Sequence, residues 1–160
     1  MPVLAFPGPT APAPPTLQID VPEGWRPVPA DTDLLSTQGP GSGSEAVEIT
    51  VRRHTRHAGY AAEQLADEVA AAGLGERPGA EVEAPFVVEL GGREWLGRNV
   101  SWEGPEGSVV EVHLVTPAPG ASEVAQFVAA TGVVRGEAID ADYDTLQTVL
   151  ETLTLTGAEQ

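Results

Sequence analysis

Between Arg52 and His57 the chain reads RRHTRH. Three of its eight cations and two of its three histidines thus fall in six consecutive positions of a 160-residue sequence with 24 acidic residues. Guanidinium groups so clustered can grip an anion or an acidic partner through charge-assisted hydrogen bonds, and the two imidazoles would add pH-dependent charge. Arg52, Arg53, His54, Arg56 and His57 are therefore candidate binding residues. The competing expectation, and the favoured one, is charge relief at a strand end. Alternate residues there point outward and pair with neighbouring Asp and Glu, each contact contributing only about 0–1 kcal/mol.

Other chemistries have less behind them. His54-x-x-His57 together with His113 supplies three imidazoles but no cysteine, and that spacing is not diagnostic of a metal site. Neither a metal nor a cofactor is expected. A GxSxG elbow is absent, and Ser101 and Ser108 have no reason in the sequence to meet His113. Glu94 and Glu111 could form a carboxylate pair, although a dense acidic surface produces such pairs by chance. HExxH, GxGxxG and GxxxxGK[ST] do not occur. No residue set specifies a reaction, so the expectation is a non-enzymatic chain. Trp and Arg anchor interfaces disproportionately, which adds Trp25, its neighbour Arg26, and Trp95 to the candidate contact residues. Trp95 and Trp102 stand seven apart on one predicted strand and should face opposite sides of its sheet.

Composition narrows the partner. The formal net charge is −16 and is spread along the chain, which disfavours nucleic-acid phosphates and anionic membrane surfaces and leaves another protein as the expected partner. Without cysteine there is no disulfide, thiolate nucleophile or lipid-acceptor thiol. All eight cations are Arg, a bias that fits a GC-rich coding sequence. Residues 1–16 lack a basic n-region and are interrupted by prolines, so they do not read as a secretory signal, and no transmembrane run follows. If Met1 is the native start, the expected location is cytoplasmic. The Pro/Ala-rich stretch should be an extended arm. One domain is expected over 17–156, followed by a short tail at 157–160.

The elements that must position these residues are legible from period and punctuation. Leu17–Val21 alternates as a short strand, Asp33–Thr37 can be another, and Gly39–Ser44 reads as a loop. From Glu45 to His54 the pattern alternates cleanly, so the basic cluster sits at a strand end. Tyr60–Ala72 carries Ala61, Leu65, Val69 and Ala72 at helical spacing, is stopped by Gly73, and is rich in small residues that suit close packing on a sheet. Phe86–Leu90, Arg93–Trp102, Ser108–Thr116 and Glu123–Thr131 form a predicted four-stranded antiparallel meander. A two-residue turn at Gly91-Gly92 would pair Val88 with Trp95 and Glu89 with Glu94. The segment Ile139–Leu155 places Ile139, Tyr143, Leu146, Val149, Leu150 and Leu153 on one helical face, with Asp140, Asp142 and Asp144 near its start. The expected fold is α+β, in the order βββ-α-ββββ-α. An antiparallel sheet of about six to seven strands would receive two main helices.

That order, with VPEGWRPV at Val21–Val28, VEITV at Val47–Val51, ELGGREWLGRNVSW at Glu89–Trp102, VAQFVAAT at Val124–Thr131 and DYDTLQTVLETLTL at Asp142–Leu155, resembles the PsbP-like superfamily. That superfamily also holds a Ran-binding nuclear-transport regulator, the DcrB-type bacterial proteins and the actinobacterial LpqN-type lipoproteins. The resemblance implies a binding, adaptor or chaperone-like module that holds a partner segment, with no shared catalytic residues to carry across. The sequence departs from the lipoprotein branch in having no lipobox cysteine. On these grounds the partner segment is expected on a concave sheet face or in a groove beside Tyr60–Ala72, rimmed by the basic cluster. The alternative is a small-ligand binder, or less favourably a hydrolase, with a pocket between sheet and helix and Arg53, His54 or His113 as its polar groups.

Overall fold

A computed structural model of the chain describes residues 8, 13–29, 34–40, 46–75, 79–105, 107–118, 123–136 and 138–156. Most of the expected arm, the centre of the Gly39–Ser44 loop and the tail at 157–160 lie outside them.

Among the described residues ten strands and two helices follow in the order β1 (Thr16–Gln18), β2 (Arg26–Pro27), β3 (Leu35–Pro40), β4 (Ala46–Arg56), α1 (Ala62–Leu74), β5 (Glu81–Val82), β6 (Phe86–Leu90), β7 (Arg93–Gly104), β8 (Gly107–Pro117), β9 (Ala125–Arg135), α2 (Ile139–Leu150) and β10 (Thr154–Thr156). The α+β class and the antiparallel sheet are as expected. There are more strands than the sequence announces, because β2, β5 and β10 are two- or three-residue pieces too short to carry a period. The main sheet runs β2-β3-β4-β9-β8-β7-β5, with β6 also on β7, and β1 pairs with β10 in a separate ribbon.

The meander closes as its turns require. Gly91 and Gly92 both adopt positive φ, +59° and +78°, the requirement of a type I′ hairpin whose twist matches its strands. Val88 therefore faces Trp95 and Glu89 faces Glu94. Because β7, β8 and β9 each alternate, both faces of the sheet are apolar and each takes one helix. α1 lies on β7 and β8, while α2 lies over β9. Under α2 the core contains Ile49, Val51, Trp95, Val112, Leu114, Ala130, Leu146 and Leu150. Under α1 a smaller cluster joins Leu65 and Ala66 to Val115, Phe127 and Ala129.

Three local expectations are corrected. Gly73 does not stop α1; it is buried inside the helix, against β8, and Gly75 at φ +48° ends it. The buried stripe of α1 is Leu65, Ala66, Ala70 and Gly73, so small residues do allow close approach, on a face rotated from the expected one. Gly39 and Pro40 belong to β3. A side chain at Gly39 would overlap the indole of Trp25, and the glycine is thus a seat for that ring. At the C-terminal end α2 stops at Leu150, while Leu153 is fully buried beyond the helix, just before β10.

Candidate functional site

The two faces of the sheet divide the basic cluster. Along β4 the pairings Arg52↔Ala129, His54↔Phe127 and Arg56↔Ala125 put those three residues on the α1 face, and Arg53↔Val128 puts Arg53 on the α2 face. Arg53 Nη1 donates to Gln126 Oε1 at 3.2 Å. Arg52 is exposed. Arg56 Nη2 donates to Glu68 Oε1 of α1 at 2.7 Å and its guanidinium lies 5.8 Å from the Tyr60 ring centre. The Tyr60 hydroxyl donates to Glu68 Oε2 at 2.7 Å. His57 is exposed, and its ring meets the edge of Tyr60 at 5.8 Å.

The electrostatics follow from these bonds. The Arg56 hydrogen bond, followed by that from Tyr60, holds the Glu68 carboxyl below its ordinary range. The bond to Glu68 raises the Tyr60 phenol. Burial lowers the His54 imidazole, Arg56 and Arg52 lower it further, and Glu68 pulls the other way. A lowered imidazole is a poor anion ligand near neutral pH. Arg56, Tyr60 and Glu68 fasten the middle of α1 to the end of β4. The groove expected beside Tyr60–Ala72 is filled there by Leu65, Ala66 and Phe127, with Tyr60 packed against them.

The remaining candidates are also placed. Trp95 is fully buried. Odd-numbered residues of this part of β7 face α2, so the large indole becomes core and not contact surface. Trp102 lies on the opposite face, as its spacing from Trp95 requires. Trp25 is half-buried over Gly39 and packs on the α2-side core, whereas Arg26 is exposed on the edge strand β2, its carbonyl accepting from Thr37 Oγ1 at 2.7 Å.

His113 is buried beneath Gly73 of α1. Its Nε2 lies 3.2 Å from Glu111 Oε1 and its Nδ1 3.2 Å from Thr131 Oγ1. It is separated from His54 by the intervening strand β9 and by four residues along it, or roughly 16 Å at ordinary strand spacings. Among the described residues no group of three His, Cys, Asp or Glu side chains could hold a metal ion. Ser101 faces α2 and His113 faces α1. Glu111 is level with Val100 on β7, six residues beyond Glu94, about 20 Å along the strand. None of these pairs meets.

A different site emerges on the α2 face. Between α2 and β6–β8 lies a half-open cleft of about 90 Å³, walled by Phe86, Val88, Leu90, Val112, Leu114 and Leu150, with Tyr143, Gln147 and Glu151 at its polar rim. Phe86 stands there because Gly97, its cross-strand partner, has no side chain: the ring covers the glycine backbone. Asn99 Nδ2 donates to the Tyr143 hydroxyl at 3.1 Å. Among the described residues Asn99 Oδ1 and Trp95 Nε1 are buried without a hydrogen-bond partner. The alternative expectation of a pocket between sheet and helix assigned it Arg53, His54 or His113, none of which lines this cleft, although its walls were legible as alternate residues of three consecutive strands facing an amphipathic helix.

Fold and site together define an antiparallel sheet with a helix on each face and an apolar cleft under the second helix. No family model and no curated protein matches the sequence. Among solved structures the chain is similar in fold to LpqN of Mycobacterium tuberculosis, described as involved in cell envelope biogenesis. The TM-score is 0.70 at 14% identity over 94% of this chain and 87% of LpqN. It is also similar to a protein from Bacteroides thetaiotaomicron VPI-5482, with a TM-score of 0.53 at 10% identity, over 90% of this chain and 46% of the other. The fold is thus LpqN-like. No described helix is long and apolar enough to cross a membrane.

Proposed function

We propose that this chain is a non-enzymatic binding module of the PsbP-like type, and that it receives an apolar part of a partner protein in the cleft between α2 and β6–β8. The observation that carries the proposal is the cleft itself: an opening with aliphatic and aromatic walls on rigid elements and a polar rim, the usual make-up of a recognition site. The fold likeness to LpqN is compatible with a module that acts by holding a partner. The test places a photocrosslinking residue at Gln147, on the cleft rim, or at Glu63, on the exposed side of α1, in cells of the source organism. A discrete adduct from position 147 and none from 63 is expected. Equal recovery from both positions, or from neither, would remove the cleft from the proposal.

A second reading, a small-molecule ligand, is favoured by one observation. The Tyr143 hydroxyl lines the cleft and accepts from Asn99 Nδ2, which leaves its own proton for a carbonyl or hydroxyl oxygen on an apolar body. Native mass spectrometry of the protein from its own cells separates the two, because a small ligand adds a fixed mass that Tyr143→Phe abolishes.

A further inference from the structure

One wall of the cleft is β6, which pairs only with β7, and its outer edge differs from the other margin of the sheet. At that other margin stands β2, two residues long and containing Pro27, which is how natural sheets blunt an edge. β6 has five residues and no proline within it. Its turn leaves Leu90 and Arg93 flanking two glycines, so Leu90–Arg93, Val88–Trp95 and Phe86–Gly97 are the hydrogen-bonded pairs of the hairpin. The N–H and C=O groups of Val87 and Glu89 consequently point away from β7. Among the described residues no other backbone group bonds them. Val87 is 58% exposed on one face of this strand, while Phe86, Val88 and Leu90 wall the cleft on the other.

Resting on the reading of the cleft given above, we infer that β6 is a strand-addition site: an extended, cationic segment of a partner protein joins the sheet along it. Four backbone groups would give the joining strand its register, and pockets for alternate side chains would give it specificity. Residues of the added strand opposite Phe86 and Val88 enter the mouth of the cleft and must be apolar. The residue opposite Val87 lies on the other face beside an exposed valine. The residue opposite Glu89 meets its carboxylate, with that of Glu94 one strand further on the same face, and neither glutamate makes an ion pair among the described residues. Like charges directly opposed destabilise a strand pair, and a cation on the added strand beside Glu89 offsets this. The same charges argue against a second copy of the chain as occupant, because each copy brings a formal charge of −16 and the same two glutamates to the junction.

The probe is acetyl-Arg-Leu-Val-Leu-Arg-amide, which reads alike in both strand directions, titrated into the full chain and followed by amide NMR. Saturable shifts and slowed hydrogen exchange at the amides of Val87 and Glu89 are expected. N-methylation of the peptide's valine should weaken binding up to about tenfold, the worth of one backbone hydrogen bond. Val87→Pro, which removes an outward donor and spares the ladder to β7, should do the same with its thermal transition retained. Glu89→Arg should reverse the preference between the Arg peptide and its Glu counterpart. Shifts confined to Leu114 and Leu150, indifferent to N-methylation, would overturn strand addition and leave the cleft reading standing. No response at Val87 or Glu89 at millimolar peptide overturns it too, whatever the crosslink at position 147 reports. Self-association abolished by Val87→Pro would assign the edge to a second copy and likewise overturn the inference.

Discussion

Replacing Gly97 with alanine tests whether Phe86 owes its place at the cleft to the missing side chain beneath it. A Cβ at position 97 would stand 2.7 Å from Phe86 Cδ2 and closer still to Cε2 and Cζ, so the ring must leave its seat. Overfilling a packed site costs about 1–3 kcal/mol, and since Phe86 is only half-buried on an edge strand the lower end applies, about 1–2 kcal/mol. Against this, alanine recovers about 0.5 kcal/mol by removing a strand glycine's excess chain entropy. The expected net loss is about 1 kcal/mol. In a Phe86→Ala background the overlap is gone, and the same substitution should stabilise by about 0.5 kcal/mol, so the two changes couple by about 1.5 kcal/mol. Urea unfolding followed by tryptophan fluorescence in the four members of the cycle measures this. Equal effects of Gly97→Ala in both backgrounds would refute the ring-over-glycine account and the shape of the cleft that follows from it.

Further outcomes are expected. His54 is lowered in the folded chain, so its contribution to stability is fully present above its ordinary value of 6.5 and is lost as pH falls through the folded value; the urea midpoint of His54→Gln should therefore fall less than that of the parent on acidification below about pH 6.5. Glu68, also lowered, contributes stability that is lost only further into acid, and Glu68→Gln should cost no more than about 1 kcal/mol at neutral pH because the group is exposed; a loss above 2 kcal/mol by urea unfolding would contradict this. Gly73→Ala would put a carbon 2.9 Å from both Glu111 Oε1 and His113 Nε2, and a loss of about 1–3 kcal/mol is expected in thermal unfolding. Gly91→Ala should destabilise more than Gly92→Ala, since both turn positions have positive φ but only the Gly91 site is also blocked, 2.6 Å from the Leu153 carbonyl oxygen; equal transition temperatures would count against that contact.

The meander was legible because its strands are long, alternate cleanly and are punctuated by glycine, whereas the turn at Gly91-Gly92 stayed open in the sequence because its two-residue form sets Glu89 against Glu94, the pairing the structure adopts. The bounds of α1 were legible to within two residues and the start and buried face of α2 were legible too, but not the face that α1 buries nor the end of α2, which stops at Leu150 and not at Leu155. Gly73 looked like a stop signal when its lack of a side chain is what lets α1 approach Glu111 and His113. Trp95 looked like an anchor for a partner because its type is common at interfaces, yet strand parity turns it inward under α2. The basic cluster drew attention by composition, and pairing across β9 then sent Arg53 to one face and Arg52, His54 and Arg56 to the other. The cleft has no local signature, since Phe86, Leu114 and Leu150 are ordinary apolar residues in the sequence and meet only because α2 crosses the sheet at their level.

The ribbon of β1 and β10 sets how the molecule yields to mechanical load. Thr16 lies opposite Thr156, and Gln18 opposite Thr154. A pull on the segments before residue 16 and after residue 156 thus meets both strands at the same end. Such loading peels the rungs apart one by one instead of sliding them past each other, and it frees Leu17 and Leu155 from the α2-side core before the main sheet bears any tension.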